Sequence, residues 1–352
     1  MSDWVLHFDL DQFIAAVEVG RRPELRGLPV VVGGNGDPTA RAVVATASYE
    51  ARAFGVHSGM PLRTALKRCP DAVFLPADNA VYEEASSRVM AVLREFPVVV
   101  EVIGWDEAFV GAHVDDPESL AAQLRQAVLD ETGLDSSVGI GDNKLRAKLA
   151  TGFAKPAGIF RLTIANWVPV MATLPTRALW GIGSRTSAKL ADMGIATVAD
   201  LARAPEPDLA ARFGPRMGPY FRSLALGAGD TTVTATPYVP RSRSHETTFQ
   251  ENLTSRSDID EQVVLLARRV SEEVLAEGRL CARVGVKVRF APFFTQTRSM
   301  TLSEPTQDGA VIERAALAVV DRFEHTRPVR LLGVRAEFVT DVEPPEPSST
   351  YR

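Results

Sequence analysis

"HFDLDQFIAA", residues 7–16, places two carboxylates, Asp9 and Asp11, at the end of an apolar run, "WVLHFDL" (4–10), that reads as a buried strand. A core strand normally avoids charge, because a buried anion must be paired, neutralised or bound to a cation. Two explanations fit this stretch taken alone. Asp9 ends the strand while Asp11 caps the helix that starts near Phe13, a position that favours Asp; or the carboxylates belong to a site assembled from elsewhere in the chain.

The rest of the composition narrows the setting. A chain of 352 residues is long for one core, and two to four domains are expected. Hydrophobic residues make up 45% and charged residues 24%, the balance of an ordinary water-soluble protein. No apolar run approaches the roughly 18 residues that cross a bilayer, and no basic stretch followed by an apolar run and a small-residue cleavage site opens the chain. Cys69 and Cys281 stand far apart with no CxxC or Cys/His cluster, which argues against a disulfide framework or a zinc site and fits a reducing cytoplasm. The net charge of −5 argues against indiscriminate nucleic-acid binding by the whole surface but leaves room for a local basic face.

Outward from residues 7–16, strands and helices alternate over the first 160 residues, an α+β or α/β pattern. "LPVVVGG" (28–34) and "RAVVATAS" (41–48) read as strands, "SYEARAFG" (48–55), "MPLRTALKRCP" (60–70) and "AVYEEASSRVMAVLREF" (80–96) as helices, and "PVVVEVIGWDEAFVGA" (97–112) as two strands about a turn at Gly104–Trp105. A helix (118–133), a strand (134–141) and a helix (142–154) follow. Residues 166–228 read as short helices separated by Gly and Pro, and "TATPYVPRSRS" (234–244) as an extended linker. Helix 258–278, a strand pair at 281–302, helix 309–323 and "VRLLGVRAEF" (329–338) then make a compact β-α-β-β-α-β unit. The Pro-rich, acidic tail, 341–352, is expected to be disordered.

The second acidic pair, Asp106 and Glu107, also sits on an apolar strand pair, where an exposed hairpin turn is the competing explanation. If the two acidic strands are neighbours in one sheet, Asp9, Asp106 and Glu107 converge, and such a cluster repels itself unless divalent cations are bound. Hard carboxylate oxygens suit Mg²⁺, and a pair of such ions clamps the attacking and leaving oxygens of a phosphoryl displacement. Phosphate-binding candidates accompany them. Tyr49 and Arg52 share one helical face in "TASYEARAFG", and Lys155 follows a helix in "FAKPAG".

With these residues in view the chain resembles, over nearly its whole length, the Y-family translesion DNA polymerases of the DinB (Pol IV) type. The motifs that carry the likeness are "DLDQFIAAVE", "VVATASYEARAFGVHSGM", "WDEAFV", "SVGIGDNKLRAKLATGFAKPAGI" and "LWGIGSRTSAKLADMGIATVADL". The resemblance implies a multidomain α+β right-hand polymerase: palm (1–10 and 73–165), fingers (11–72), a helix-hairpin-helix thumb (166–233), a linker (234–242) and a β-α-β-β-α-β little finger (243–340). It implies that Asp9, Asp106 and Glu107 hold two Mg²⁺ ions, with Mn²⁺ as the alternative, that Leu10 offers its backbone carbonyl to the nucleotide-side ion, and that Asp11 is structural. Thr46, Tyr49, Arg52 and Lys155 match triphosphate-binding positions, Phe13 and Ile14 face the sugar, and Ala45 with Gly59 roofs the nascent pair. The partners implied are primer-template DNA and dNTP, acting on a monomer without a membrane. No Gln-plus-Leu/Phe clamp peptide is evident in the tail, which leaves an internal sliding-clamp site open.

DNA contacts are expected in two places. "WGIGSRTSAKL" presents Gly181 and Gly183 at the start of a helix, whose N-terminus favours anions, with Lys189 nearby. In "ARVGVKVRF" strict alternation puts Arg283, Lys287 and Arg289 on one strand face, with Arg241, Arg243 and Arg298 adding cations from neighbouring extended segments.

The chain departs from the family pattern at Ile14, where an aromatic side chain usually clashes with a ribose 2′-hydroxyl, so relaxed rejection of ribonucleotides (NTP) is expected. Gly104 stands where Ser commonly precedes the acidic pair. Two other functions remain in competition: a palm-type nucleotidyl cyclase, and a non-catalytic relative that binds damaged DNA.

Overall fold

The computed structural model describes residues 2–324 and 326–339; the tail expected to be disordered lies outside the described residues. The chain divides into two compact units, the second running from Tyr238 onward together with the short segments Thr39–Ala42 and Pro61–Arg63.

In the first unit the elements run β1 (Ser2–Leu10), α1 (Phe13–Arg21), β2 (Val30–Val32), β3 (Thr46–Ala47), α2 (Tyr49–Ala53), α3 (Leu62–Arg68), β4 (Val73–Leu75), α4 (Asn79–Arg94), β5 (Val99–Val102), β6 (Glu107–Val114), α5 (Pro117–Thr132), β7 (Ser136–Gly141), α6 (Lys144–Ala154) and β8 (Ile159–Leu162). Five strands form one sheet in the order β5-β6-β1-β7-β8, with the opening strand of the chain at its centre. Alternation along β1 divides its side chains between two layers. Leu6, Phe8 and Leu10 enter the main core with Tyr82, Val89 and Leu93 of α4 and Leu120, Leu124 and Val128 of α5. Val5 faces the other way, onto Phe109 and Ala147 of α6, and His7 bonds Thr151 of that same helix. Asp9, in phase with Val5 and His7, therefore belongs to the face that α6 covers.

That helix lies against the sheet at backbone distance. A Cβ on Gly139 would stand 2.1 Å from the Ala147 carbonyl oxygen and 2.3 Å from the Thr151 nitrogen, and one on Gly141 would stand 2.5 Å from the Ala147 nitrogen. Glycine is required at both positions by this close approach rather than by a turn.

A smaller sheet has the order β3-β2-β4, with β2 and β4 parallel. Val73–Leu75, grouped by sequence with the span 73–165, thus pairs with Val30–Val32 instead of joining the five-stranded sheet. A parallel pair needs a long crossover, and β3, α2 and α3 provide it.

Residues 166–228 contain no strand and pack as helices: α7 (Trp167–Met171), α8 (Ser184–Ala191), α9 (Val198–Arg203), α10 (Glu206–Phe213) and α11 (Met217–Ala225). Met171, Leu179, Ile182, Leu190, Leu201 and Leu224 make their shared core. The Thr197–Asp200 capping box fixes the start of α9.

The second unit is β9 (Ser242–Leu253), α12 (Arg256–Ala276), β10 (Cys281–Phe290), β11 (Phe294–Thr306), α13 (Gly309–Val320) and β12 (Val329–Phe338), a β-α-β-β-α-β succession. Its sheet is antiparallel throughout in the order β11-β10-β12-β9. Val284, Val286, Val288 and Phe290 pack with Val263, Val270, Ile312 and Val319 of the helices, leaving the opposite sheet face open.

Candidate active site

Antiparallel register brings the acids together. Asp9 of β1 lies directly across from Glu107 of β6, and the Leu10 N–H donates to the Asp106 carbonyl at 2.9 Å. Ligand atoms of His7, Asp9 and Glu107 all fall within 4.8 Å of one another. Burial, then the charges of Asp9 and Glu107, push the Asp106 carboxyl above its ordinary range. Asp106 thus feels the charge of both other carboxylates at the end of a core sheet.

Two lysines oppose this charge. Lys155, just beyond α6, pairs with Asp9, and Lys148, within α6, pairs with Glu107. Glu107 is held down at about 2 by the His7 ring and by the Lys148 ammonium, against the opposing effect of burial. His7 is fully buried, and that burial lowers its pKa below the usual imidazole value. The Thr151 hydroxyl lies 3.1 Å from both the His7 and the Ala147 carbonyl oxygens and 2.8 Å from His7 Nδ1. His7 Nε2 faces Glu107 Oε2 and Lys148 Nζ, each at 3.2 Å. His7, Lys148 and Thr151 were not among the residues singled out from the sequence. Thr151 and Lys155 sit one and two helical turns beyond Lys148, and this shared face of "KLATGFAK" was the available signal.

Asp11 is structural. It is 3% exposed, and its carboxylate accepts from the Ser137 hydroxyl at 3.0 and 3.1 Å, from the Tyr49 hydroxyl at 2.8 Å and from the Ala157 N–H at 2.6 Å. Three segments are tied to one anion. Ser48 rather than Asp11 acts as a helix cap in this region, its hydroxyl accepting from the Ala51 N–H at the start of α2. Arg52 donates to the Ala47 carbonyl at 2.9 Å and its guanidinium lies 5.0 Å from the centre of the Tyr49 ring. Thr46 is half-buried and Ala45 exposed on the same segment.

Phe13 departs from expectation. It is 3% exposed and belongs to the main core, because Gln12, in the left-handed region at φ 46°, turns the chain into α1 with Phe13 facing inward. Ile14 beside it is half-buried. At Gly104 an added Cβ would lie 3.6 Å from Asp106 Oδ1, so the position has room for a side chain.

The expected DNA-contact residues separate by face. Gly183 is the N-cap of α8 with no side-chain cap, so the first N–H groups of that helix are open, and Lys189 is exposed on the same helix. Gly181 has φ +95°, which only glycine adopts readily. In the second unit Arg283, Lys287 and Arg289 do share the open sheet face, joined by Arg335, which pairs in register with Gly285. This face also carries acids: Lys287 bonds Glu246 at 2.7 Å, and Arg283 lies 3.8 Å from Glu337. Arg243 and Arg298 do not belong to it. Register puts Arg243 opposite Ala336 and Arg298 opposite Val286, both on the helix-covered side. Arg243 pairs with Glu277, and Arg298 lies 5.3 Å from the centre of the Phe323 ring. Arg241 precedes β9 and is exposed.

A carboxylate cluster at the end of a central sheet strand, with lysines and a Tyr–Arg pair around it, defines a palm-type nucleotidyltransferase. Models of known families match three stretches: the impB/mucB/samB family over residues 8–152, its C-terminal domain over 240–349, and the DNA polymerase-iota thumb domain over 177–223. The chain is 53% identical over 338 residues to DNA polymerase IV 2 of Mycobacterium tuberculosis, covering 95% of this chain and 97% of that one. It is 40% identical to DNA polymerase IV of Methanoculleus marisnigri, covering 94% and 93%. Among solved structures, a Y-family DNA polymerase chimera, Dbh-Dpo4(243-245)-Dbh, superposes with a TM-score of 0.84 at 24% identity over 95% of this chain and 98% of that one. DinB from Sulfolobus solfataricus does so with a TM-score of 0.65 at 25% identity over 96% and 99%. The chain belongs to the DNA polymerase IV (DinB) family of Y-family polymerases, and it is a DNA-directed DNA polymerase of the low-fidelity, translesion class.

Proposed function

We propose that the chain extends a primer 3′-end along a template by two-metal nucleotidyl transfer at Asp9, Asp106 and Glu107, and that it discriminates weakly against ribonucleotides. The observation that carries the first part is the cross-strand meeting of Asp9 with Glu107 beside Asp106. Their mutual repulsion, visible in the raised Asp106 carboxyl, and their all-oxygen chemistry fit a pair of hard divalent ions, Mg²⁺ or Mn²⁺, with the Leu10 carbonyl as a further oxygen. Bound there, such ions neutralise charge on the attacking 3′-oxygen and on the triphosphate. The protein's own share is positioning. Thr46, Tyr49, Arg52 and Lys155 receive the triphosphate, with Arg52 acting as a bidentate fork, and Ala45 with Gly59 leaves a roomy roof over the base pair.

On this reading the five-stranded sheet is the palm, the small sheet and its helices the fingers, residues 166–233 the thumb and 243–340 the little finger. Gly181, Gly183 and Lys189 hold duplex backbone at the thumb. Arg283, Lys287, Arg289 and Arg335 track phosphates without reading sequence.

The second part rests on Ile14. Phe13 is in the core, so no aromatic ring at these two positions stands against the sugar. A pocket difference of this kind is worth about 1–3 kcal/mol, or roughly ten- to two-hundred-fold. Single-nucleotide insertion of dCTP and CTP opposite template G, in wild type and Ile14→Phe, tests it: the variant should gain that much rejection of CTP, and a wild type as selective as the variant would refute the idea. Primer extension abolished by Asp106→Ala tests the first part, and incubation with NTP alone, expected to yield no cyclic product, separates it from a cyclase.

A further inference from the structure

We propose that Lys148 is a resident counter-ion that a divalent cation must displace from Glu107, and that Trp180 receives the displaced ammonium. The inference rests on the metal-binding reading of Asp9, Asp106 and Glu107 and goes beyond it to two residues outside that set. The Lys148 ammonium donates to Glu107 Oε2 and lies 3.2 Å from His7 Nε2. His7 Nε2 is itself 3.2 Å from that carboxylate oxygen, so the ammonium sits in the corner between ring and carboxylate. His7, Asp9 and Glu107 are also the group whose ligand atoms converge within 4.8 Å. The ammonium thus occupies the carboxylate that a metal ion would take, and the two cations repel one another there. The fixed part is His7, tied at Nδ1 to Thr151 and wholly buried. The movable part is the lysine, with its long side chain and strongly hydrated head.

A ring that can receive it stands nearby. Lys148 Nζ lies 6.0 Å from the centre of the Trp180 ring, at the outer limit of a cation–π contact, with Trp the preferred ring. Lys148 and Trp180 line one open cavity of about 680 Å³ together with Gly152, Phe153, Arg177 and Gly181. The absence of a side chain at Gly152, with nothing within 4 Å of an added Cβ, leaves the path clear. Trp180 is 48% exposed and opens the Gly-x-Gly loop before α8. Metal occupancy at Glu107 is thereby signalled to that loop through one ammonium group.

The test uses the full chain without DNA or nucleotide, titrated with Mn²⁺ and read by the electron paramagnetic resonance of free Mn²⁺ and by tryptophan fluorescence. Lys148→Met, with Lys148→Gln as the second variant should the first not fold, is expected to bind Mn²⁺ about tenfold more tightly than wild type, and Lys148→Arg to stay near wild type. Because Trp105 adjoins Asp106, the fluorescence is read in a Trp105→Phe background, where the change that accompanies Mn²⁺ binding is expected to vanish when Lys148→Met or Trp180→Phe is added. Equal or weaker Mn²⁺ binding by the Met and Gln variants overturns the counter-ion role, and a fluorescence change that survives in Lys148→Met overturns the role of Trp180. If wild type and Asp106→Ala bind Mn²⁺ alike, the metal-binding reading itself fails, an outcome distinct from both.

Discussion

Removing the Asp11 carboxylate tests whether one buried anion holds the nucleotide-facing segments in place. In Asp11→Ala the Ser137 hydroxyl, fully buried on β7, is left without the acceptor it now has, and an orphaned buried donor costs about 1–3 kcal/mol. The Tyr49 hydroxyl is half-buried and Ala157 is exposed, so these two donors turn to water and each loses about 0.5–1.5 kcal/mol. The total is about 4 kcal/mol, a large share of the roughly 5–15 kcal/mol that separates folded from unfolded states. Ser137→Ala and Tyr49→Phe, which leave Asp11 with its remaining donors, should each cost about 1 kcal/mol. Urea unfolding followed by fluorescence measures all three. The double variant Asp11→Ala/Ser137→Ala should be less destabilised than the sum of the singles, because the orphan is removed with its partner. In dNTP insertion, Asp11→Ala should raise KM more than it lowers kcat, since Tyr49 and the turn after Lys155 lose their common anchor while the metal-site acids are untouched. An Asp11→Ala protein within about 1 kcal/mol of wild type, or strictly additive singles, would refute this reasoning.

Asp106→Asn should be inactive yet more stable than wild type in EDTA by ~1 kcal/mol, because the amide removes the repulsion from Asp9 and Glu107; thermal unfolding with and without Mg²⁺ checks it, the gain shrinking when metal is present. Glu107, at about 2 in the folded chain against 4.5 for the free side chain, contributes stability that is present above pH 4.5 and lost as pH falls towards 2, at most about 3 kcal/mol. An acid titration of the metal-free protein should therefore lose a steep segment in that window when Lys148 is replaced by Met. On the open face of the second unit, Lys287→Ala should lower the slope of log K for duplex DNA against log salt by about 0.9, whereas Arg298→Ala, on the helix-covered side, should leave it unchanged.

The acids were legible because each breaks an apolar strand, and a charge in a core strand demands an explanation that the register then supplied. The Lys148–His7–Thr151 group was not, since His7 lies more than a hundred residues before the other two and meets them only because α6 packs on β1. The burial of Phe13 was not legible for a local reason: a left-handed residue at position 12 sets the phase of α1, and periodicity carries no sign of it. Arg243 and Arg298 show the corresponding limit in sheets. Alternation sorts side chains within one strand, but only the pairing Val286–Arg298 tells which face of the next strand is shared. Likewise the partner of Val73–Leu75 depends on a crossover that no short window contains.

The bare backbone of Gly139 and Gly141 has a consequence for how this enzyme can change over time. The reach of Lys148 and Lys155 to their carboxylates is fixed by main chain resting on main chain, where a single methyl group would overlap the Ala147 carbonyl. Side-chain cores adapt to a wrong volume by repacking, but here there is no side chain to repack. In a randomised library screened for activity, these two positions should stay as empty of variants as the acids themselves, although neither meets a nucleotide.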